Sequence, residues 1–312
     1  MPMATNEAAY AKCNELGPHC LARALAVPSI ALEPYLIVAK SGLHAGNNLT
    51  LLDDLPTKAV IKAPPALDNH GHPYPATWSW ERETEARGIF KSGRKYGTYL
   101  RNGSGVRVYV INSAVNCTAV GGRCTTVEPQ WGLLAPQATP ELLKGNGTKC
   151  ALAARASASK VHIVSVPTPS MSLARLLFSL SIVGNLHASA VAAGEPARAV
   201  ATLSVVTTGN VTQSPLAAMV ERFLVRLRRA GLVSIAAAGN DAANACPMAP
   251  GGVSRTALLV AAATYRHGRL ARAADSNYGE CCDIFGPSDS TDTAAAFVAG
   301  VAAGICGDLN EP

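Results

Sequence analysis

Charged residues are scarce in this chain, and the patterns that mark membrane-spanning or nucleic-acid-binding proteins are missing. Only 15% of the 312 residues are charged and 48% are hydrophobic, which argues against disorder and predicts a well-buried globular core. No apolar run approaches the roughly 18 residues of a transmembrane helix. The first 20 residues also lack the charged-then-apolar pattern of a signal peptide. We therefore expect no membrane-spanning segment.

A concentrated basic surface is also lacking. The formal net charge is +6, but the basic residues are scattered, and the densest group is Arg226, Arg228 and Arg229 on one predicted helix. No basic stripe carries interleaved aromatic residues, so nucleic acid is not an expected partner. The arginine group is better interpreted as a solvated helix face.

Cysteines and glycosylation sequons are abundant by contrast. Nine cysteines are many for a protein of a reducing compartment, and an odd number leaves at least one thiol free. Five Asn-x-Ser/Thr sequons begin at Asn48, Asn102, Asn116, Asn146 and Asn210. Together these features favour an oxidising, secretory compartment, although the absence of a signal pattern leaves the localisation open.

The N-terminal part of the chain differs in pattern from the rest. Short strands are predicted at 34–40 and 58–63, and a proline-rich linker follows at 63–75. We expect a small N-terminal region with this linker at 1–68 and one larger domain at 69–312.

Strands and helices alternate in the larger domain. Continuous β-branched and apolar runs predict buried strands at 106–111, 161–166, 199–206, 233–238 and 257–263. Helices are predicted at 173–192 and 214–230, the second capped by Ser214, started by Pro215 and ended by Gly231. This alternation predicts an α/β fold with a mostly parallel sheet and helices on both faces. Ligands of such sheets bind beyond the carboxyl ends of the strands.

Several polar positions fall at those carboxyl ends, within recognisable strings. They are VYVIN ending in Asn112, GNGTKCA with Asn146, AAAGNDAANAC with Asn240, SNYGECCDIFGP, and STDTAAAFVAG with Asp292. In this order the strings resemble the subtilisin-like serine proteases (subtilases), most closely the proteinase K-like branch, over roughly residues 76–304. The resemblance implies the subtilisin-like α/β fold and serine-type endopeptidase activity.

The resemblance also implies a site whose chemistry has changed. The family's catalytic aspartate, histidine and serine fall on Asn112, Asn146 and Asp292, and only the oxyanion-hole asparagine, Asn240, is retained. An asparagine cannot serve as a general base near neutral pH, and an aspartate is a weak nucleophile toward an amide. We therefore expect a catalytically inactive pseudoprotease.

Other departures from the family point the same way. The substrate-cleft strand reads Ser204, Val205 and Val206 followed by Thr207, with branched side chains where the family has glycines. Leu152 replaces a helix glycine, and the strand–turn–strand after Pro287 is missing. We expect a C-terminally truncated domain. We expect no metal and no cofactor, and the family's calcium site is in doubt because His267 lies about where a calcium-ligating aspartate is expected.

The resemblance carries three further expectations. Residues 28–66 resemble a shortened inhibitory propeptide, which would remain attached because an inactive enzyme cannot cut it off. By position in the family, Cys246 and Cys281 form a disulfide and Cys150 is a buried free thiol. Cys117 and Cys124 close a short loop and are a further candidate pair.

Simpler structural roles compete with chemical ones at several residues. Asp292 is expected to act as the N-cap of the last helix, and Ser290, Thr291 and Thr293 are hydroxyls without an evident base. In DNHGHPYP, Asp68, His70 and His72 are interpreted as linker residues rather than a metal site. His162 is expected to be a satisfied core histidine.

Three functional hypotheses remain. The first is a pseudoprotease that binds a peptide or protein ligand in a remodelled cleft. The second is an active secreted serine endopeptidase of the proteinase K-like family with an unrecognised triad. The third is a degenerate gene product that does not fold stably. A serine-directed probe separates the first two, and a cooperative melting transition excludes the third.

Overall fold

A sheet of parallel strands organises the larger domain. The computed structural model describes residues 57–59, 102–127, 145–168, 173–207, 210–212, 215–266 and 269–308. The strand predicted at 34–40 and the linker at 63–75 lie outside these residues, as do His70, His72 and His267.

The described strands and helices have the following bounds. The strands are Thr57–Ala59 (β1), Arg107–Asn112 (β2), Cys124–Thr126 (β3), His162–Pro167 (β4), Ala199–Leu203 (β5), Val205–Thr207 (β6), Leu232–Ala237 (β7), Leu258–Arg266 (β8), Arg269–Arg272 (β9) and Ile284–Pro287 (β10). The helices are Cys117–Val120 (α1), Gly147–Ser157 (α2), Leu173–Ala192 (α3), Pro215–Arg229 (α4) and Thr291–Asp308 (α5).

The main sheet has eight strands and is mostly parallel, as predicted. Its order is β10-β8-β7-β5-β2-β4-β3, and β9 pairs with β8 in the one antiparallel pairing that this described sheet contains. β2 lies between β4 and β5 in parallel register with both. Every residue of β2 is buried, and its central residues 108–111 accordingly lack a polar alternation.

Helices cover both faces of this sheet, also as predicted. On one face, buried side chains of α3 and α4, including Leu180 and Leu224, join those of the strands in one core cluster. On the other face, Ala151 of α2 and Phe297 of α5 belong to a second cluster. Two separate apolar cores, one on each side of the sheet, are the expected result of a doubly covered parallel sheet.

Helices α2 and α5 cross at very close range because a glycine lies at the crossing. A Cβ atom on Gly300 would come within 2.1 Å of both the Ala154 carbonyl oxygen and the Ser157 Oγ. Ser157 Oγ also donates a hydrogen bond of 2.8 Å to the Phe297 carbonyl across the crossing. The small-residue run of α5 therefore permits a close helix contact that positions the start of both helices.

One predicted strand is divided in two. The sequence predicts a single strand at 199–206, whereas β5 ends at Leu203 and β6 begins at Val205. The interruption falls at Ser204, whose hydroxyl accepts a hydrogen bond of 2.9 Å from Asn112 Nδ2. Beyond it the chain leaves the main sheet, and β6 pairs antiparallel with β1.

The expectation that no apolar run reaches membrane-spanning length was wrong for α3. Its 18-residue window Arg175–Ala192 has a mean hydropathy of 1.2 and passes a test of length and composition. The core helix of a globular domain passes the same test. Half of this window is buried within the domain, and Leu176, Leu177 and Leu180 are fully buried there. The packing is that of a core helix.

Both expected disulfides are present. Cys117 pairs with Cys124 and Cys246 pairs with Cys281. Three further cysteines of the described residues, Cys150, Cys282 and Cys306, are free thiols.

Candidate functional site

Five polar side chains meet at the carboxyl edge of the main sheet. Asn112 is the last residue of β2, Ser204 follows β5, and Asn240 lies three residues after the end of β7. Asn146 directly precedes α2, and Asp292 lies in the first turn of α5. All five are at least 95% buried, so this cluster is part of the interior.

The centre of the cluster is a hydrogen bond between Asn146 and Asp292. Asn146 Nδ2 donates to Asp292 Oδ2 across 2.9 Å. Cys150 lies one turn further along α2, and its Sγ is 3.9 Å from the same Oδ2 atom. The second carboxylate oxygen, Oδ1, accepts a short hydrogen bond from the Ser290 hydroxyl. Both oxygens of Asp292 are therefore engaged by protein donors.

Asn112 joins this cluster through Cys150. Its Nδ2 atom is 3.4 Å from Cys150 Sγ and donates to Ser204 Oγ at 2.9 Å. Its Oδ1 atom accepts from the Ser113 backbone N–H at 2.7 Å. Ser113 Oγ in turn accepts from the Gly147 N–H at 2.8 Å, which joins the end of β2 to the start of α2.

Asp292 is not the N-cap of α5, contrary to the expectation from sequence. The helix begins at Thr291, so Asp292 is its second residue and Ser290 directly precedes it. The Ser290 carbonyl accepts from the Ala294 N–H at 3.0 Å, the first intrahelical bond. Asp292 still complements the positive end of the helix dipole, but its side chain points at Asn146 and Ser290.

The surroundings disfavour negative charge on both acidic groups of the cluster. Burial raises the pKa of the Asp292 carboxyl, and the hydrogen bonds from Ser290 and Asn146 oppose this only in part. Burial also raises the pKa of the Cys150 thiol well above its ordinary value, and the neighbouring Asp292 charge adds to the effect. Cys150 is therefore a neutral thiol near neutral pH, not a thiolate nucleophile.

Asn240 faces the start of α5 from the opposite side of the cluster. Its Oδ1 atom accepts from the Thr291 N–H at 2.9 Å, which aims Nδ2 at Ser290 Oγ, 3.4 Å away. Thr291 Oγ1 accepts from the Gly239 N–H at 3.0 Å. Asn240 is thus fixed as a side-chain donor beside a hydroxyl.

Asn277 holds the loop that carries Asn240, and sequence reasoning did not single it out. Its Oδ1 atom accepts from the Asp241 and Ala243 N–H groups, both at 2.9 Å, and its Nδ2 donates to the Ala238 carbonyl at 2.9 Å. A Cβ atom on Gly239 would lie 2.3 Å from Asn277 Nδ2, and the φ of Gly239 is +105°. Only glycine fits this close approach.

The two histidines within the described residues lie at the opposite edge of the sheet. His162 begins β4, and its Nε2 lies 3.0 Å from Thr125 Oγ1. It is half-buried, and its Nδ1 has no hydrogen-bond partner, so the expected satisfied core histidine was wrong in part. His187 Nδ1 lies 3.3 Å from Nη2 of Arg107, the first residue of β2. Neither imidazole reaches the Asp292 cluster, because parallel strands place these two ends apart.

Two curated proteins are similar to this chain in sequence. The subtilisin-like serine protease Rho m 2.0101 of Rhodotorula mucilaginosa is 30% identical over 216 residues, which are 64% of this chain and 58% of that protein. Subtilisin-like protease 8 of Trichophyton verrucosum is 29% identical over 215 residues, which are 64% of this chain and 41% of that protein.

The chain is similar in sequence to the subtilisin-like serine proteases and has a subtilisin-like fold. It spans 58% and 41% of the lengths of the two curated relatives that it matches. No protein-family model matches it.

Solved structures agree with a subtilisin-like fold. A lanthipeptide protease has a TM-score of 0.54 at 14% identity, with 78% of this chain and 84% of that chain covered. The S41 psychrophilic protease has a TM-score of 0.51 at 19% identity, with 68% and 80% covered. At these identities the likeness concerns the fold.

The structure brings together the residues that the sequence singled out. Asn112, Asn146, Asn240 and Asp292 share one cluster, with Asn146 in direct contact with Asp292 and Asn112 joined through Cys150. Ser204 belongs to the same cluster through Asn112. Sequence reasoning missed Ser113 and Asn277, which hold the neighbouring backbone. Their signal was weak because each is one polar residue inside a turn.

The expected substrate strand is paired with another part of the same chain. In the antiparallel register of β6 with β1, Val205 pairs with Ala59, Val206 with Lys58 and Thr207 with Thr57. Branched residues at Val205 and Val206 were expected to hinder close backbone pairing. The strand nevertheless pairs with β1 along its whole length, and the Val206 side chain is buried in the core.

No group of three or more potential ligands among His, Cys, Asp and Glu that could hold a metal ion occurs within the described residues. The position expected for a calcium ligand, His267, lies outside them.

Proposed function

We propose that this chain is a pseudoprotease of the proteinase K-like branch, which keeps the subtilisin-like fold but does not hydrolyse peptide bonds. The observation that carries the proposal is the 2.9 Å hydrogen bond from Asn146 Nδ2 to Asp292 Oδ2. These positions match the family's general base and nucleophile. The amide of Asn146 and the carboxylate of Asp292 therefore stand where the family has the imidazole of its histidine and the hydroxyl of its serine.

This pair lacks the properties that the reaction requires. A general base must accept a proton reversibly near neutral pH, which an asparagine amide does not do. Asp292 is fully buried, and both of its oxygens accept hydrogen bonds from Asn146 and Ser290. Its raised pKa further disfavours the anion that a carboxylate nucleophile would need. The pair is a satisfied structural contact.

Asn112 supports the same conclusion at the third position. A buried aspartate there would orient an imidazole and stabilise its positive charge. Asn112 is neutral, and its Nδ2 donates to Ser204 at 2.9 Å while its Oδ1 accepts from Ser113 at 2.7 Å. The carboxamide is therefore held in the wall of the site as a packing and hydrogen-bonding group.

We further propose that the cleft edge binds an extended polypeptide segment. The pairing of β6 with β1 supports this, because β6 accepts an antiparallel strand outside the main sheet. Main-chain hydrogen bonds of this kind are the basis of strand-addition recognition. The segment at Thr57–Ala59 lies within the propeptide-like region, which in an inactive protein would stay attached.

The alternative is an active serine endopeptidase with a displaced nucleophile. The observation in its favour is that Ser290 donates to the Asp292 carboxylate and lies 3.4 Å from Asn240 Nδ2, a potential oxyanion donor. Against it, His162 and His187, the histidines of the described residues, lie at the far edge of the sheet. A serine paired only with a buried carboxyl of raised pKa lacks an efficient base.

A restoration experiment tests the proposal. The full chain and the triple variant Asn112→Asp, Asn146→His, Asp292→Ser are assayed on a mixture of fluorogenic peptides. We expect no turnover by the original chain and measurable turnover by the triple variant. Adding Asn240→Ala to the triple variant should lower kcat by about 10²–10³ if the recovered activity uses the oxyanion donor.

Turnover by the original chain that disappears in Ser290→Ala would establish the alternative, an active serine endopeptidase. A cooperative melting transition is measured for every protein in the set, so that a failure to fold is distinguished from a lack of chemistry.

A further inference from the structure

Four of the five glycosylation sequons lie within the described residues, and the structure separates them into two classes. Asn102, Asn116 and Asn210 are exposed, whereas Asn146 is only 3% exposed and belongs to the Asp292 cluster. The same short motif therefore occurs in two different environments of one domain. A glycan is bulky and strongly hydrated, so the folded protein accommodates it only where the asparagine faces water.

The three exposed asparagines share one local geometry. In each, Oδ1 accepts the backbone N–H of the hydroxyl-bearing residue two positions later. The distances are 2.9 Å from Ser104 to Asn102, 3.1 Å from Thr118 to Asn116 and 3.0 Å from Thr212 to Asn210. Each sequon is thus an Asx-turn on the surface.

This geometry is compatible with a sugar on the amide nitrogen. Glycosylation converts Nδ2 and leaves Oδ1 as an acceptor, so the turn is retained in the modified protein. The hydroxyl residues Ser104, Thr118 and Thr212 are exposed as well. The backbone around Asn210 is also held in place, because the Val211 N–H donates to the Pro247 carbonyl at 2.9 Å. The asparagine therefore presents its side chain from a fixed loop.

Asn146 has the opposite character. Its Nδ2 donates to the buried Asp292 carboxylate at 2.9 Å, and the hydroxyl of its sequon, Thr148 Oγ1, accepts the Asn116 N–H at 2.9 Å. A sugar on Asn146 would have to occupy the protein interior between α2 and α5. The folded structure described above excludes it.

The disulfides identify a compartment in which this modification takes place. Cys117–Cys124 and Cys246–Cys281 are both formed, and disulfides persist in the secretory pathway rather than in a reducing cytosol. Cys117 is also the middle residue of the Asn116 sequon, so one disulfide adjoins a candidate glycan site. Sequons, exposure and disulfides thus point to the same cellular route.

We propose that Asn102, Asn116 and Asn210 carry N-linked glycans and that Asn146 does not. The co-substrate is an oligosaccharide linked to a membrane lipid through pyrophosphate. The bond between the sugar C1 and the pyrophosphate oxygen breaks, and a C1–Nδ2 bond forms. One Nδ2 proton passes to a base of the transferase, and the lipid pyrophosphate leaves with the electron pair.

The test is the site occupancy of the full chain produced in a eukaryotic secretory pathway behind a cleavable signal sequence. Glycopeptides are identified by mass spectrometry before and after enzymatic removal of N-glycans. Ser104→Ala, Thr118→Ala and Thr212→Ala should each remove one glycan while keeping the asparagine and its turn. Thr148→Ala is the matched control and should remove none. Cooperative melting establishes that each variant is folded.

The proposal is supported if all three exposed sequons are occupied and Asn146 is unmodified in the folded protein. It is overturned if any of the three is unoccupied, or if a glycan is found on Asn146 in folded material. A second measurement determines the occupancy of the same sequons on protein isolated from its own source. A complete lack of N-glycans there would also overturn the proposal.

Discussion

Asn146 donates its side-chain amide to the buried carboxylate of Asp292 across 2.9 Å. This contact joins the start of α2 to the first turn of α5. It satisfies a buried acidic group with a neutral donor, and it leaves no proton acceptor of the kind that activates a serine. On our proposal, the site is a stabilising polar contact and not a reaction centre.

Removing the donor of this contact should destabilise the fold. In Asn146→Ala the Asp292 Oδ2 atom loses its amide partner while remaining buried. The free energy of unfolding should fall by about 1–3 kcal/mol. Urea unfolding followed by circular dichroism measures it. The matched control is Asn102→Ala on the surface, which should change stability by less than about 0.5 kcal/mol. Equal effects of the two variants would contradict the structural role of Asn146.

The buried Asp292 should also produce a specific pH dependence. Its pKa is raised above the ordinary value of 3.8, so between that value and the folded pKa the folded state binds more protons than the unfolded state. Stability from this group is then full at lower pH and declines as the pH rises through the folded pKa. In Asp292→Asn this decline should disappear. Unfolding free energies measured at several pH values test it, and parallel profiles for the two proteins would refute it.

The close crossing of α2 and α5 should not tolerate an added methyl group. A Cβ at Gly300 would meet the Ala154 carbonyl oxygen at 2.1 Å, so the backbone of one of the two helices would have to shift. Gly300→Ala should lower the free energy of unfolding by about 1–3 kcal/mol. Ala302→Ser, at a partly exposed position of the same helix, is the control. A neutral Gly300→Ala would mean that the helices are packed less closely.

The two disulfides should contribute unequally. Cys246–Cys281 joins residues 35 apart, and Cys117–Cys124 joins residues 7 apart. By loop entropy, the double variant Cys246→Ala, Cys281→Ala should lose about 4 kcal/mol and Cys117→Ala, Cys124→Ala about 2 kcal/mol. Thermal and urea unfolding of both double variants measure the difference. A larger loss of stability in the Cys117→Ala, Cys124→Ala variant would show that strain in the folded protein or residual structure in the denatured state outweighs loop entropy.

Pairing of β1 with β6 should protect the cleft edge from hydrogen exchange. Lys58→Pro removes a backbone N–H and restricts the strand, so the amides of Val205–Thr207 should exchange faster in this variant. The amides of β5, Ala199–Leu203, serve as an internal control and should not change. If exchange at β6 is the same in both proteins, the segment at Thr57–Ala59 does not occupy the edge in solution.

Much of the fold follows from local sequence pattern. The apolar runs predict β2, β4 and β7 within one residue of their observed bounds, and α3 has the predicted bounds of 173–192. Each of these elements is buried on the faces that its pattern indicates, so its position can be predicted from its own residues. The parallel sheet and the covering of both faces follow from their alternation.

The structure differs from the sequence-based predictions where contacts between residues far apart in the chain determine the conformation. Ser204 interrupts a strand because it accepts a hydrogen bond from Asn112, which is 92 residues earlier in the chain. The pairing of β1 with β6 is likewise a long-range contact that no local pattern contains. At the site, the strand order and the family resemblance predict that Asn112, Asn146 and Asp292 lie close together. The position of Cys150 between them follows only from the packing of α2.

The exact position of Asp292 in its helix could not be predicted from the sequence pattern. A polar loop before a small-residue helix indicates a cap, but several neighbouring residues have suitable side chains. The structure starts the helix at Thr291, two residues earlier than an N-cap at Asp292 requires, and turns the carboxylate toward Asn146. A shift of two residues changes the role of this carboxylate from cap to buried hydrogen-bond acceptor.

The central claim is that no activated serine exists at this site, and labelling by a fluorophosphonate probe tests it most directly. The purified full chain, its heat-denatured control, an active serine protease and the triple variant with Asp292→Ser are treated in parallel, and labelled peptides are identified by mass spectrometry. We expect labelling of the active protease and of the triple variant at its introduced serine, and no labelling of the original chain, folded or denatured. Stoichiometric labelling of the folded original chain at Ser290 would contradict the proposal.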